Sequence, residues 1–179
     1  MPTVSAISIR ANCPCCGYLT LSARNTYNIC KLCNWEDDGQ GDEDADKVRG
    51  GPNADYSLTE ARANFKRYRV MYAPGLDPRA IGAASRLEFE TKGRLMAALE
   101  RRRHCQRSEA EQLDCEIAGL EQTLYEEILR RVLEYDRMRL AASQARPGLV
   151  PGNVGRQGLA AVGRWIRSLE KFIASFDLK

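Results

Sequence analysis

The sequence predicts an α+β protein, with a small cysteine-rich module at the N-terminus and an all-α extension behind it. Five of the seven cysteines fall between residues 13 and 33. Short apolar runs broken by Gly, Asn and Pro fill the first 55 residues, whereas three- and four-residue apolar spacing fills most of the remainder. The stretch "APGLDP" separates the two patterns. We therefore expect two units, at residues 1–72 and 73–179.

The composition excludes several classes of protein. With 44% hydrophobic and 28% charged residues, the chain is typical of a globular protein and not of a disordered one. It has no apolar run long enough for a membrane span, and its first residues lack the pattern of a secretory signal. Cysteines crowded into pairs in such a chain favour reduced thiols and metal over disulfides. We expect a cytoplasmic protein with no membrane partner.

The N-terminal module is expected to contain short strands and one helix. Strands are predicted for residues 6–9, 18–22 and 26–29, where apolar and β-branched residues are bounded by Asn, Gly and Cys. Ser57 and Glu60 have the spacing of a capping box, in which each side chain satisfies a backbone amide of the other residue. This pair predicts a helix over residues 58–71.

Three helices are predicted in the extension, at residues 78–104, 109–143 and 157–176. The first opens at Asp77 and Pro78, an N-cap followed by a first-turn proline, and the second opens at a capping box of Ser108 and Glu111. The second and third carry apolar stripes, typical of helices that pack together as an antiparallel hairpin or bundle. The stripe residues are Leu113, Ile117, Leu120, Leu124, Ile128 and Val132, then Leu159, Val162, Ile166, Leu169, Ile173 and Phe176.

Two Cys-x-x-Cys pairs, Cys13 with Cys16 and Cys30 with Cys33, stand 13 residues apart. Each pair suits a tight turn that presents two thiolates to one ion, and two such turns supply the four sulfurs of a structural zinc site. The strands predicted between them would form a hairpin, so the module is expected to be zinc-ribbon-like. Cys15 is a substitute for Cys13 or Cys16 as ligand, a free thiol activated by the cation, or a buried residue of the turn.

The same residues favour a structural site over a catalytic one. A catalytic zinc keeps a coordination position open and works with histidine or carboxylate ligands. Here four cysteines complete the shell, and the only histidine, His104, lies 71 residues beyond Cys33. Cys105 and Cys115 are interpreted as packing residues. We expect a protein that is not an enzyme, although an enzyme that uses Cys15 or the acidic stretch remains a third hypothesis.

An acidic stretch follows the second cysteine pair. It does not fit a calcium loop, because Lys47 and Asn53 occupy the positions of the required Gly and Glu. The alternatives are a solvated loop or a face that binds a basic protein partner. Trp35, beside the stretch, is expected to pack over the metal turn. The candidate partner-binding carboxylates are Glu36, Asp37, Asp38, Asp42, Glu43, Asp44 and Asp46.

A basic cluster, Arg101 to Arg103, ends the first predicted helix of the extension. Cations at a helix C-terminus interact favourably with the dipole, which is sufficient reason for their presence. Contact with phosphate or RNA is the alternative, because basic helices combined with a zinc ribbon occur in nucleic-acid-binding proteins. The sequence leaves both interpretations open.

The stretch "CPCCGYLTL…YNICKLCNWEDDGQ…DADKVRGGPNADYSLTEARANF" resembles the cysteine-rich CPCC domain of bacterial proteins. The resemblance covers residues 11–66, and residues 67–179 resemble no family. It implies a small metal-binding protein, and some members stand beside toxin and immunity genes. We therefore expect a non-enzymatic zinc-binding protein that acts through protein–protein interaction, as a bacterial immunity or antitoxin protein. The alternative is a nucleic-acid-binding zinc-ribbon protein that uses Arg101, Arg102 and Arg103.

Overall fold

The computed structural model describes residues 10–74 and 84–144. Strands β1 (Ala11–Asn12) and β2 (Leu19–Leu21) are followed by helices α1 (Leu58–Tyr68), α2 (Arg86–His104) and α3 (Arg107–Gln144). Two short 3-10 turns, Asp42–Asp44 and Gly51–Asn53, lie between β2 and α1. A small sheet beside the cysteines and three helices confirm the predicted α+β class.

The sheet pairs different segments from those predicted. Strand β2 is antiparallel to β1, with Ala11 opposite Leu21, and not to residues 26–29. Positive φ angles of 59° at Asn25 and 55° at Tyr27 interrupt the second predicted strand. Within that segment only Ile29 pairs, in an isolated bridge to Glu36. Each cysteine turn is thus enclosed by its own short hairpin, and the prediction of one hairpin joining the two turns was wrong. The strand predicted at 6–9 lies outside the described residues.

Helix α1 begins as the sequence predicts and ends earlier. The Ser57 amide donates to the Glu60 carboxylate at 2.9 Å, and the Glu60 amide donates to the Ser57 hydroxyl at 3.2 Å, which confirms the capping box. The helix stops at Tyr68 because Arg69 adopts a left-handed conformation, with φ 58° and ψ 29°. The Arg69 amide still donates to the Phe65 carbonyl, at 2.8 Å.

Helices α2 and α3 form an antiparallel hairpin, and both begin at positions other than those predicted. Helix α2 starts at Arg86, with Ser85 as its N-cap, whereas Asp77 and Pro78 lie outside the described residues. Ser85 is extended, and its hydroxyl accepts from the Glu88 amide at 3.0 Å. Helix α3 starts before Ser108, so the capping box predicted there does not form. The third predicted helix, 157–176, also lies outside the described residues.

One hydrophobic core joins the cysteine module to the helical hairpin. Trp35, which we expected to pack over the metal turn, is fully buried in the same cluster as the cysteines. This core contains residues from both described ranges, 10–74 and 84–144. The hairpin of α2 and α3 therefore packs directly against the cysteine module. The helical residues of this core are Leu58, Ala61, Phe65, Leu95, Ala98, Leu99, Ile117, Leu120 and Leu124.

Buried ion pairs add specific links between the units. The Glu121 side chain, on α3 and 2% exposed, binds Arg10 beside β1 and Lys31 within the second cysteine turn. Glu88 on α2 pairs with Lys92 and with Arg131 of α3. Such pairs fix the register of packed elements because an unpaired buried charge is costly. No helix among the described residues is both long and apolar enough to cross a membrane.

Candidate metal centre

The two cysteine turns have the same backbone design. The Gly17 amide donates to the Cys13 carbonyl at 2.8 Å, and the Asn34 amide donates to the Cys30 carbonyl at 2.9 Å. Gly17 and Asn34, each directly after the second cysteine of its pair, have φ angles of 80° and 67°. Glycine reaches this region freely, and asparagine is among the residues that tolerate it best. Each turn therefore folds back after presenting two sulfurs on the same side.

The turns bring four thiol groups together. The sulfurs of Cys13, Cys16, Cys30 and Cys33 all lie within 4.8 Å of one another. The closest pairs join the two turns: Cys13 Sγ is 3.6 Å from Cys33 Sγ, and Cys16 Sγ is 3.6 Å from Cys30 Sγ. A disulfide requires about 2.05 Å, so these are separate thiols.

The donor set fits a metal ion. Four sulfurs placed tetrahedrally at about 2.3 Å from one zinc would stand about 3.8 Å apart, close to the observed 3.6 Å. Soft thiolates from four cysteines are typical ligands of zinc or iron. All four predicted ligands are brought together, and the arrangement can hold a divalent cation with no ligand from outside the chain.

The pKa values of the four thiols are shifted in different directions. Burial raises the pKa of Cys13, Cys16 and Cys33, because a thiolate is poorly solvated in the core. At Cys30, hydrogen bonds from the other three thiols and from Thr20 outweigh burial and lower the pKa well below its usual range. Hydrogen bonds, and not burial, therefore distinguish Cys30 from the other three.

Cys15 lies beside the cluster but outside the set of four. Its side chain is buried and interacts with Cys33. Within the described residues its sulfur is not among those that could surround one ion. Cys105 is half-buried and bonded to the Arg102 carbonyl at 3.3 Å, and Cys115 is exposed on α3.

The second turn is anchored by contacts that lie far apart in sequence. The Met71 amide, after α1, donates to the Cys33 carbonyl at 2.8 Å. The Asn53 side-chain amide bonds both backbone groups of Glu36, accepting at 3.1 Å and donating at 2.9 Å, as a neighbouring strand would. Asn53 of the stretch "GGPN" and Met71 after α1 therefore both hold the second cysteine turn in place.

The acidic stretch is less available to a partner than its sequence indicates. Glu36 and Asp37 are buried, and the Arg24 guanidinium donates to Asp37 at 2.9 Å, so neither side chain is exposed on the predicted binding face. Asp44 is half-buried and paired with Arg49, and its pKa is lowered by the Gly41 amide and by Arg49. Asp38 is half-buried. The carboxylates that remain exposed are Asp42, Glu43 and Asp46.

The basic cluster at the end of α2 is engaged within the chain. Arg101 pairs with Glu116, and Arg102 pairs with Asp114 at 2.6 Å. Arg103 donates to the Gly17 carbonyl at 2.9 Å, against the first cysteine turn. These cations attach α2 to α3 and to the module, while the Arg101 and Arg103 side chains stay 57% and 41% exposed.

The sequence analysis missed two groups that shape the site. Thr20 lies 2.9 Å from the Cys30 sulfur, and Glu121 holds Lys31 at 3.2 Å. Neither residue stands out in the sequence, because both contacts depend on how distant segments pack. Lys31, however, lies between the two cysteines of a metal turn, and a lysine at such a position indicates that a carboxylate elsewhere in the chain pairs with it.

Fold and site together define a small cysteine-cluster module, suited to a metal ion and covered by a helical hairpin. Residues 11–76 match the family model described as Cysteine-rich CPCC, the family that the sequence resembles. The match extends ten residues beyond the stretch on which the resemblance rests, through α1 and the Met71 contact with the second turn. Neither the curated proteins nor the solved structures contain a significant match to this chain.

Proposed function

We propose that this chain is a non-enzymatic zinc-binding protein that acts through protein–protein contacts, as a bacterial immunity or antitoxin protein that neutralises a toxin. The observation that carries the proposal is the set of four sulfurs within 4.8 Å of one another. A shell of four thiolates is complete and is typical of structural zinc. Zinc is preferred to iron because Zn²⁺ binds a given set of ligands more tightly than Fe²⁺ in the Irving–Williams order.

The place of the cluster supports a structural role for the metal. The four cysteines share one core with residues of α1, α2 and α3. A cation there neutralises thiolates that burial would otherwise disfavour, and it fixes the two turns against the helical hairpin. Metal binding and folding of the module are therefore coupled.

A partner surface is supported by three exposed carboxylates, Asp42, Glu43 and Asp46. They are held in a defined arrangement: Arg62 pairs with Asp42 at 2.6 Å, and the Thr59 hydroxyl donates to Asp46 at 2.6 Å. A compact acidic surface on a rigid turn attracts a basic protein, including a toxin that binds nucleic acid. Arg62 and Thr59 belong to α1, so the surface depends on the fold that the metal stabilises.

The first test measures metal and partner together. Elemental mass spectrometry of the purified full chain should find one zinc per molecule. Iron in its place would show that the assignment of zinc is wrong. A tagged chain, incubated with host lysate with and without nuclease, should retain one stoichiometric protein. That protein, purified, should bind one to one, with an affinity that falls as salt rises.

A matched pair of variants assigns the surface. Replacing Asp42, Glu43 and Asp46 with their amides should weaken binding at least tenfold, since charge complementarity at the rim governs association. The same change at Asp55, Glu109 and Glu111, which are also exposed, should leave binding unchanged. Equal loss in both variants would refute a specific acidic surface. Binding of nucleic acid, abolished by nuclease, would instead support the alternative function.

A further inference from the structure

The Cys30 sulfur is unusual among the four because donors other than cysteine thiols reach it. The Thr20 hydroxyl lies 2.9 Å from it, and the Cys33 amide donates to it at 3.4 Å. Within the described residues, the sulfurs of Cys13 and Cys16 are bonded only to other cysteine sulfurs. Cys30 therefore has its own set of supporting hydrogen bonds.

Thr20 has one hydroxyl proton and two acceptors within reach. Its Oγ1 is also 3.3 Å from the Tyr18 carbonyl, which already accepts from the Thr20 amide at 2.9 Å. A metal-bound cysteine is a thiolate and can only accept a hydrogen bond. With metal in place, the hydroxyl proton must therefore point to Cys30, and the Tyr18 carbonyl keeps its amide donor.

We propose that Thr20 is a positioning residue for the metal centre, whose buried hydroxyl donates to the Cys30 thiolate, holds this sulfur on the ion and shields it from electrophiles. The inference rests on the proposed zinc site. Thr20 is buried in β2, so no solvent water substitutes for its hydroxyl. Groups that support metal ligands in this way commonly change metal affinity 10- to 100-fold.

The hydrogen bond from Thr20 to Cys30 is important because the metal site carries a net negative charge. Four thiolates around one divalent cation carry a net charge of about −2 in a core from which water is excluded. The Lys31 ammonium, in the same turn, is held by Glu121 at 3.2 Å. A hydrogen bond to sulfur removes part of its negative charge, and a thiolate with less charge is a weaker nucleophile and a weaker electron donor.

The variants separate the hydroxyl from the shape of the side chain. Thr20→Val keeps the size and removes the donor, whereas Thr20→Ser keeps the donor and removes the methyl group. Thr26→Val is the matched control, because the Thr26 hydroxyl donates to the Ala23 carbonyl at 3.2 Å and contacts no cysteine. All variants are full chains loaded with one equivalent of Co²⁺, which reports on thiolate ligation through its sulfur-to-metal charge-transfer absorption.

Two measurements follow. In Thr20→Val the charge-transfer band should move to lower energy, and iodoacetamide should release cobalt roughly tenfold faster than in the native chain, at the lower end of the range common for such groups. Thr20→Ser and Thr26→Val should resemble the native chain in both. A change in band energy reports on the sulfur itself, which a loss of packing alone would not produce.

The outcomes distinguish this inference from the function on which it rests. If every variant binds cobalt with the same charge-transfer band and the same rate of cobalt release, the proposed role of Thr20 is wrong and the metal site is unaffected. A native chain that takes up no cobalt overturns both. If Thr20→Val does not fold, Thr20→Ala and Thr20→Ser are compared, since they differ only in the hydroxyl. Identical bands and rates in that pair overturn the role of Thr20 equally.

Discussion

Replacing Glu121 with glutamine tests the attachment of the cysteine module to the helical hairpin. The carboxylate accepts two hydrogen bonds from the Arg10 guanidinium, at 2.5 and 3.1 Å, and one from the Lys31 ammonium at 3.2 Å. Glutamine keeps the shape, loses the charge and turns an NH₂ group toward cations. Glu121→Gln should therefore destabilise the protein while leaving the four cysteines untouched.

The size of the effect follows from burial. Breaking a fully buried ion pair costs about 3–5 kcal/mol. The Arg10 and Lys31 side chains retain 13% and 9% exposure and can recover part of their hydration, and glutamine keeps one acceptor. We therefore expect a loss of about 2–4 kcal/mol, somewhat less than for a fully buried pair. With a urea dependence of about 2 kcal/mol per molar, in the middle of the usual range for small proteins, the unfolding midpoint should fall by roughly 1–2 M.

The assay is equilibrium urea unfolding, followed by circular dichroism with zinc in excess, so that metal occupancy is equal in all samples. Glu116→Gln is the control, because Glu116 pairs with Arg101 on the surface, where the two side chains are 39% and 57% exposed. Surface pairs contribute about 0–1 kcal/mol, so this variant should hardly move the midpoint. Equal midpoints for Glu121→Gln and Glu116→Gln would refute the reasoning.

Three further predictions concern the metal, the core and pH. Cys33→Ser should contain no zinc and lose the folded module, whereas Cys115→Ser, the same change at an exposed thiol, should keep one zinc per chain by elemental analysis. Leu95→Ala, at a fully buried position, should lower the free energy of unfolding by about 2–5 kcal/mol in denaturant titration, and a loss below 1 kcal/mol would contradict its place in the core. Arg130 lowers the pKa of Glu127 from 4.5 to about 2, so the stability from this carboxylate is fully present above pH 4.5 and declines from there toward pH 2. Glu127→Gln should therefore be less stable than the native chain at pH 7 and converge with it only below about pH 2, while Glu126→Gln, which loses an exposed carboxylate, should follow the native profile.

The elements that the sequence predicts correctly are those whose signals are local. The cysteine spacing, the Ser57 capping box and the apolar stripe of α3 each depend on residues within a few turns of one another. The ends of elements follow less local causes. Helix α1 stops where Arg69 turns left-handed, and α2 starts at Arg86, with Ser85 as its N-cap.

The missed features depend on packing between distant segments. Positive φ angles at Asn25 and Tyr27, which redirect the sheet, have no counterpart in an otherwise strand-like stretch. Glu121 is one of many glutamates on α3, and only the docked second cysteine turn shows that it lies inward. Asp37 likewise belongs to an acidic run, yet Arg24 holds it in the interior. Charge patterning alone could not separate the buried carboxylates from the exposed ones.

The sulfur pairs that approach most closely, Cys13 with Cys33 and Cys16 with Cys30, join positions 20 and 14 residues apart. A bound ion is thus a cross-link that closes two loops at once, and a disulfide closing a loop of this size contributes about 3 kcal/mol by restricting the unfolded chain. Unlike a disulfide, this cross-link follows mass action: above the dissociation constant, each tenfold change in free metal alters stability by about 1.4 kcal/mol. The fraction of chains that present a folded surface therefore becomes a measure of metal supply. Under the proposed function, scarcity of metal would therefore disturb the arrangement of the acidic carboxylates and release the partner.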